Sequence, residues 1–122
     1  MLLTEVYSFS WPSWGRCPDL SVQQNFDIQS YMGKWLIRAG YNLDITQGKG
    51  RCGFANYTWD PIQHRVIVNN SQISASTNKW ESISGYAVPT DYSKDEGKFT
   101  VNLYKWGWWK LTAPYWVLGT DY

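Results

Sequence analysis

The stretch Lys98-Phe99-Thr100-Val101-Asn102-Leu103-Tyr104-Lys105-Trp106 decides the fold. Phe99, Val101 and Leu103 share one parity, and Thr100, Asn102 and Tyr104 share the other. An apolar set that recurs at every second residue describes a half-buried strand, not a helix. Working outward, Gly33 to Tyr41 puts Trp35, Ile37, Ala39 and Tyr41 on one parity. Arg51 to Trp59 reads as a second strand, closed by the turn signal Asp60-Pro61. Val66-Ile67-Val68 is a β-branched third strand, and Lys79 to Val88 a fourth, with Ile83, Gly85 and Ala87 on one parity. Gly107 to Ala113 reads as a loop and Pro114 to Thr120 as a sixth strand. Only Val22 to Met32 is weakly helical, with Asp19 or Ser21 as its cap. Six strands in sequential order, joined by short polar turns, predict an all-β antiparallel up-and-down meander. Its inward positions mix large and small residues: Trp35, Ala39, Ala55, Gly85 and Ala87. Small inward residues would be destabilising voids in a sandwich. In a barrel they make space for a ligand.

The composition narrows the function. A chain of 122 residues in one compositional block predicts a single domain. Hydrophobic residues make up 43% and charged residues 17%, which is enough to build a core and excludes a disordered chain. Eleven Lys plus Arg against ten Asp plus Glu leave a formal charge of +1, which argues against a nucleic-acid partner held by counterion release. The apolar runs are far shorter than the roughly 20 residues of a membrane-spanning helix. Nine Trp and nine Tyr imply either a very full core or a cavity with aromatic walls. Two cysteines, Cys17 and Cys52, allow at most one internal disulfide, and there is no CxxC pair. One histidine excludes a multi-His metal site. That residue, His64, lies in the turn-like Pro61-Ile62-Gln63-His64-Arg65 and is expected to be solvated. No paired carboxylates or nucleophile with its base stand out, so neither an enzyme nor a cofactor is predicted. Gly48 to Gly53 spells GxGxxG, but a strand follows it instead of the helix a phosphate site requires, so it reads as a loop. Met1-Leu2-Leu3 runs directly into Thr4-Glu5 without a cationic or sustained apolar region, so no signal peptide is recognised. Residues 1–14 are expected to be an irregular leader, and 15–122 the domain.

Several stretches carry a family resemblance. Gly15-Arg16-Cys17-Pro18, Val22-Gln23-Gln24-Asn25-Phe26-Asp27 and Tyr31-Met32-Gly33-Lys34-Trp35 occur in order. Gly50-Arg51-Cys52, Ala55-Asn56-Tyr57-Thr58 and Ala113-Pro114-Tyr115-Trp116-Val117-Leu118 follow, and Thr120-Asp121-Tyr122 ends the series. Together they resemble the lipocalin family, in its apolipoprotein D-like branch, over residues 15–122. Gly33-Lys34-Trp35 is similar to the family's G-x-W motif, and Thr120-Asp121-Tyr122 to its second motif. Gly33 allows a turn into the first strand without a Cβ clash, and Trp35 is large enough to plug the closed end of a barrel. The resemblance implies a barrel of about eight strands, so six make an incomplete one, lacking the last two strands and a C-terminal helix. An Arg that stacks on the G-x-W Trp in the family belongs to that missing part. The positions matching Cys17 and Cys52 pair in the family with cysteines further downstream. The resemblance also implies secretion, and glycosylation at the position of Asn56.

The function expected on these grounds is binding and transport of a small hydrophobic ligand. The classes implied by the resemblance are fatty acids, steroids, retinoids, carotenoids and bilins, with a role in lipid handling under oxidative stress. The expected walls are Trp35, Ile37, Ala39, Ala55, Tyr57 and Trp59 from the first two strands, and Ile83, Gly85 and Ala87 from the fourth. Phe99, Val101, Leu103, Tyr115 and Val117 come from the last two, and Asn69 is the expected inward polar anchor. Asn56-Tyr57-Thr58 and Asn69-Asn70-Ser71 are sequons, and Asn56 has outward parity. Lys105-Trp106-Gly107-Trp108-Trp109-Lys110 falls in the loop after the fifth strand, at the open mouth. Trp106, Trp108 and Trp109 there are expected either to form a rim that touches a membrane or lipoprotein surface or to pack onto the barrel's own outer surface. The alternative is a Trp-rich β-domain that binds proteins or carbohydrates and has no internal cavity.

Overall fold

The computed structural model describes residues 18–40, 48–105 and 107–122. Expectations that fall on the 1–14 leader, Cys17, Tyr41 and Trp106 lie outside the described residues. The strands are β1 (Gly33–Leu36), β2 (Gly50–Asp60), β3 (Arg65–Ser74), β4 (Trp80–Pro89), β5 (Lys98–Lys105) and β6 (Trp109–Trp116). They form one sheet in sequential order, and every neighbouring pair is antiparallel. The predicted meander is therefore present. The sheet does not close, since β1 and β6 are its two edges among the described residues. It curls enough that Tyr115 on β6 meets Tyr57 on β2 through a hydroxyl–hydroxyl hydrogen bond of 3.1 Å.

Turn chemistry follows the sequence. Asp60 Oδ1 accepts from the backbone N–H groups of Ile62 and Gln63 at 3.0 and 3.1 Å, which folds the β2–β3 turn around an aspartate side chain. His64 lies exposed in that turn, as expected, with a φ of 49° and its ring edge-on to Trp59. At the start of β2 a register irregularity between Arg51 and Phe54 puts Cys52 at a φ of 55°. The GxGxxG stretch thus leads into a bulged strand.

Three element readings are corrected. The segment Val22–Met32 is not a helix. Gln23 and Gly97 exchange backbone bonds with each other and with Val117, and Phe26 N–H donates to the Asp95 carbonyl, so the chain runs extended across one end of the sheet. A single turn at 28–31 follows, and its cap is Asp27, not Asp19 or Ser21. Bonds from the Ser30 hydroxyl and from the Ser30 and Gln29 N–H groups hold the Asp27 carboxyl below the usual carboxylate range. β1 is shorter than expected, ending at Leu36 with one more ladder bond from Ile37 N–H to Gly53. β6 begins at Trp109, not Pro114, because Leu103 pairs with Leu111 and Val101 with Ala113.

The core is Phe26, Val66, Val68, Ile83, Ala87, Phe99, Leu103 and Val117. It lies at the end of the sheet where the N-terminal segment crosses. The Tyr122 hydroxyl accepts from Asp27 N–H at 2.8 Å, and its ring lies 6.2 Å from Phe26. Thr120 N–H reaches the Gln23 side chain. The Thr120-Asp121-Tyr122 stretch therefore fastens this closed end.

Candidate ligand cavity

Two chambers lie on the concave face. The lower one, of about 90 Å³, is lined by Phe26, Ile28, Tyr31 and Met32 from the N-terminal turn and by Tyr57, Val66, Val68, Asn70, Ala87, Phe99, Val101, Leu103 and Tyr115 from the sheet. The upper one, of about 540 Å³, is lined by residues 35–40 with Tyr31, Ala55, Tyr57, Asn70 and Tyr115. The four residues common to both are polar: Tyr31, Tyr57, Tyr115 and Asn70. They form a neck between an apolar pouch and a wider chamber.

The three phenols of the neck are linked. The Tyr31 and Tyr115 hydroxyls share a hydrogen bond of 2.9 Å, and Tyr115 also bonds Tyr57. The rings of Tyr31 and Tyr57 stack with centroids 5.6 Å apart and an interplanar angle of 15°. Burial is the main reason that all three phenols are pushed up from their ordinary value, so they remain neutral hydroxyls at physiological pH. Asn70 Oδ1 is buried and has no hydrogen-bond partner. An orphaned amide oxygen in an apolar wall costs about 1–3 kcal/mol unless a donor reaches it. The neck therefore offers one unmet acceptor and a set of hydroxyls to whatever occupies the chambers.

The expected wall residues divide among several places. Tyr57, Ala87, Phe99, Val101, Leu103 and Tyr115 line the lower chamber. Trp35, Ile37, Ala39 and Ala55 line the upper one. Ile83 and Val117 are buried in the core but belong to neither lining, and Trp59 packs at the core's edge. Gly85 does not leave room for a ligand. A Cβ there would overlap the Asn102 carbonyl on β5, so this glycine lets two strands approach each other. Trp35 is not the plug of the closed end. Its Nε1–H donates to the Tyr31 carbonyl at 2.9 Å and its ring lies 4.8 Å from the Tyr31 ring, so it props the neck. Phe26, Tyr31 and Met32 make the floor instead.

Asn69 is corrected in direction. It pairs with Asn56 across the ladder, its amide donates to Ser84 Oγ at 3.0 Å, and it accepts from Ser71 Oγ. These groups share the convex face, while Asn70 faces the chambers. Sequence reading missed Val66, Val68 and Asn70 as a single inward set, although their alternation was visible. It also missed the floor residues 26–32, hidden by the helical reading.

Other expected residues are placed as follows. Gly33 enters β1 at a φ of 112°, the left-handed backbone that favours glycine. Asn56 is exposed. Cys52 is exposed and has no disulfide among the described residues. Trp108 is 77% exposed in the β5–β6 turn, and Trp109 is 41% exposed at the first position of β6.

A sequential antiparallel meander curled over an apolar pouch, with its floor supplied by an N-terminal crossing segment, is the architecture of a partial lipocalin barrel. The chain belongs to that family, since the family model described as a lipocalin-like domain matches residues 26–122. Apolipoprotein D of Bos taurus is 33% identical over 111 residues, which cover 88% of this chain and 53% of the relative. Insecticyanin-A of Manduca sexta is 31% identical over 109 residues, covering 88% of this chain and 55% of that protein. The solved structure of insecticyanin from the tobacco hornworm Manduca sexta superposes with a TM-score of 0.72 at 28% identity, again over 88% of this chain and 55% of its own. The chain thus spans about half the length of the relatives it matches.

Proposed function

We propose that this chain binds and carries a small hydrophobic ligand and makes or breaks no bond. The observation that supports this reading is the pairing of an apolar pouch with a wider mouth across a polar neck. The 90 Å³ pouch is too small for a whole lipid, but the 540 Å³ mouth falls in the usual range of about 300–1,000 Å³ for ligand sites. An elongated ligand would seat a short apolar end among Phe99, Val101 and Leu103. Its bulk would lie against Trp35 and Ile37, and a polar group would meet Asn70 and the phenols. Burying about 200 Å² of apolar ligand surface contributes on the order of 5 kcal/mol.

The same reading places the protein outside the cell and makes the exposed Asn56 a glycan acceptor. Trp108 and Trp109 form a rim at the mouth that touches a lipid surface and passes ligand inward. Titration with retinol or palmitic acid, followed by intrinsic Trp fluorescence, tests the carrier. Saturable one-to-one quenching is expected. A response to glycans or a protein partner alone would sink it in favour of a Trp-rich interaction domain.

A further inference from the structure

The net charge of +1 conceals a segregation along the strands. Antiparallel alternation sends the ends of β1, β3 and β5 and the starts of β2, β4 and β6 to the same end, the mouth. Among the described residues, Arg38, Lys49, Arg51, Lys79, Lys105 and Lys110 lie at or next to those strand ends, with Glu81 as the one carboxylate. The closed end carries Asp19, Asp27, Asp60, Asp91, Asp95, Glu96 and Asp121. Its cations are tied locally: Arg65 to Asp60 at 3.4 Å, Lys94 to Asp91 at 3.7 Å and Lys98 to Asp19 at 3.7 Å. Among the described residues the charge is polarised, positive at the mouth.

Large apolar side chains stand among those cations. Trp80 is 59% exposed, Leu36 69% and Trp108 77%. Lys34 Nζ lies 4.0 Å over the Phe54 ring, which meets Trp80 edge-on at 5.8 Å. Trp rings interleaved with basic side chains suit the headgroup layer of a bilayer, where each Lys or Arg near an anionic surface adds about 1 kcal/mol. We propose that the mouth is a docking face for anionic lipid bilayers, turned toward the membrane by this charge polarity. The inference rests on the rim reading above and adds the surface's chemistry: acidic headgroups, not neutral ones.

Sedimentation with vesicles of phosphatidylcholine, with and without phosphatidylserine, tests it. Binding is expected to require phosphatidylserine and to fall as salt shortens the screening length. Lys79→Gln with Lys110→Gln should weaken it about thirtyfold. Lys94→Gln with Lys98→Gln removes the same charge from the closed end and should leave it within about twofold of the parent protein. Equal binding to both vesicle types overturns the charge polarity while leaving the Trp rim standing. Equal losses in the two double variants also overturn it, as does retention by heparin without binding to any vesicle, which would indicate a soluble polyanion. Retinol quenching in solution, measured on every variant, reports the carrier function and the folded state separately.

Discussion

Asn70 shows how a single residue can decide the chemistry of a site. Its neighbour Asn69 carries the same side chain, but a step of one residue along a strand reverses the face. No local property distinguishes the two asparagines. The ladder does, because Asn70 lies opposite Ala55 and Ile83 while Asn69 lies opposite Asn56 and Ser84. Replacing Asn70 with Leu removes a buried acceptor without a donor, so the ligand-free protein should gain about 1 kcal/mol in urea unfolding. The same variant should bind retinol about tenfold more weakly if the alcohol meets Oδ1, a loss equal to one good hydrogen bond. Asn69→Leu should leave quenching unchanged. Tyr115 is a different case, since its hydroxyl serves both Tyr31 and Tyr57. Tyr115→Phe strands two buried phenols and should cost about 1–2 kcal/mol, read as a lowered urea midpoint.

At the level of elements, strand existence was legible and strand length was not. β5 alternates so cleanly that its reading needed no context. The sequence signal for β3 covers only Val66–Val68, because Asn69 to Ser74 are mostly polar, yet the strand runs to Ser74. Its flanks β2 and β4 satisfy its backbone, and Ser71 bonds Ser82 on the convex face. Tertiary pairing overrides weak propensity there. β6 tells the reverse story, since Trp109, Leu111, Ala113 and Tyr115 do alternate, but the Lys-Trp-rich composition suggested a loop. Pro114 is tolerated because β6 is an edge among the described residues and that position needs no outward donor. Gly85 is legible only in three dimensions. Gly85→Ala should destabilise by about 2 kcal/mol or more through forced separation of β4 and β5, measured by urea unfolding.

For the molecule as a whole, the buried phenols couple folding to alkaline pH. Tyr31, Tyr57 and Tyr115 are raised in the folded state above an ordinary value of 10.0, so the unfolded chain releases these protons first. Their contribution is complete below pH 10 and is lost as pH rises above it. Thermal melts should hold steady through neutral pH and decline above pH 10, with part of the phenolate absorbance appearing only on unfolding. A midpoint unchanged well above pH 10 would mean that the three hydroxyls are not buried as described. Tyr115→Phe should flatten the decline.

By itself the sequence determined the antiparallel meander and the apolar character of the concave face. Alternation and turn residues act over a few positions, and those are properties a linear chain states directly. The tertiary structure alone decided which asparagine faces the ligand chambers, that the floor is an extended crossing segment, and that the neck is a linked set of phenols. It also brought basic residues from separate strand ends and turns together at one end of the sheet. Those outcomes depend on register and curl, which are set only when distant strands pair and each backbone group finds its partner.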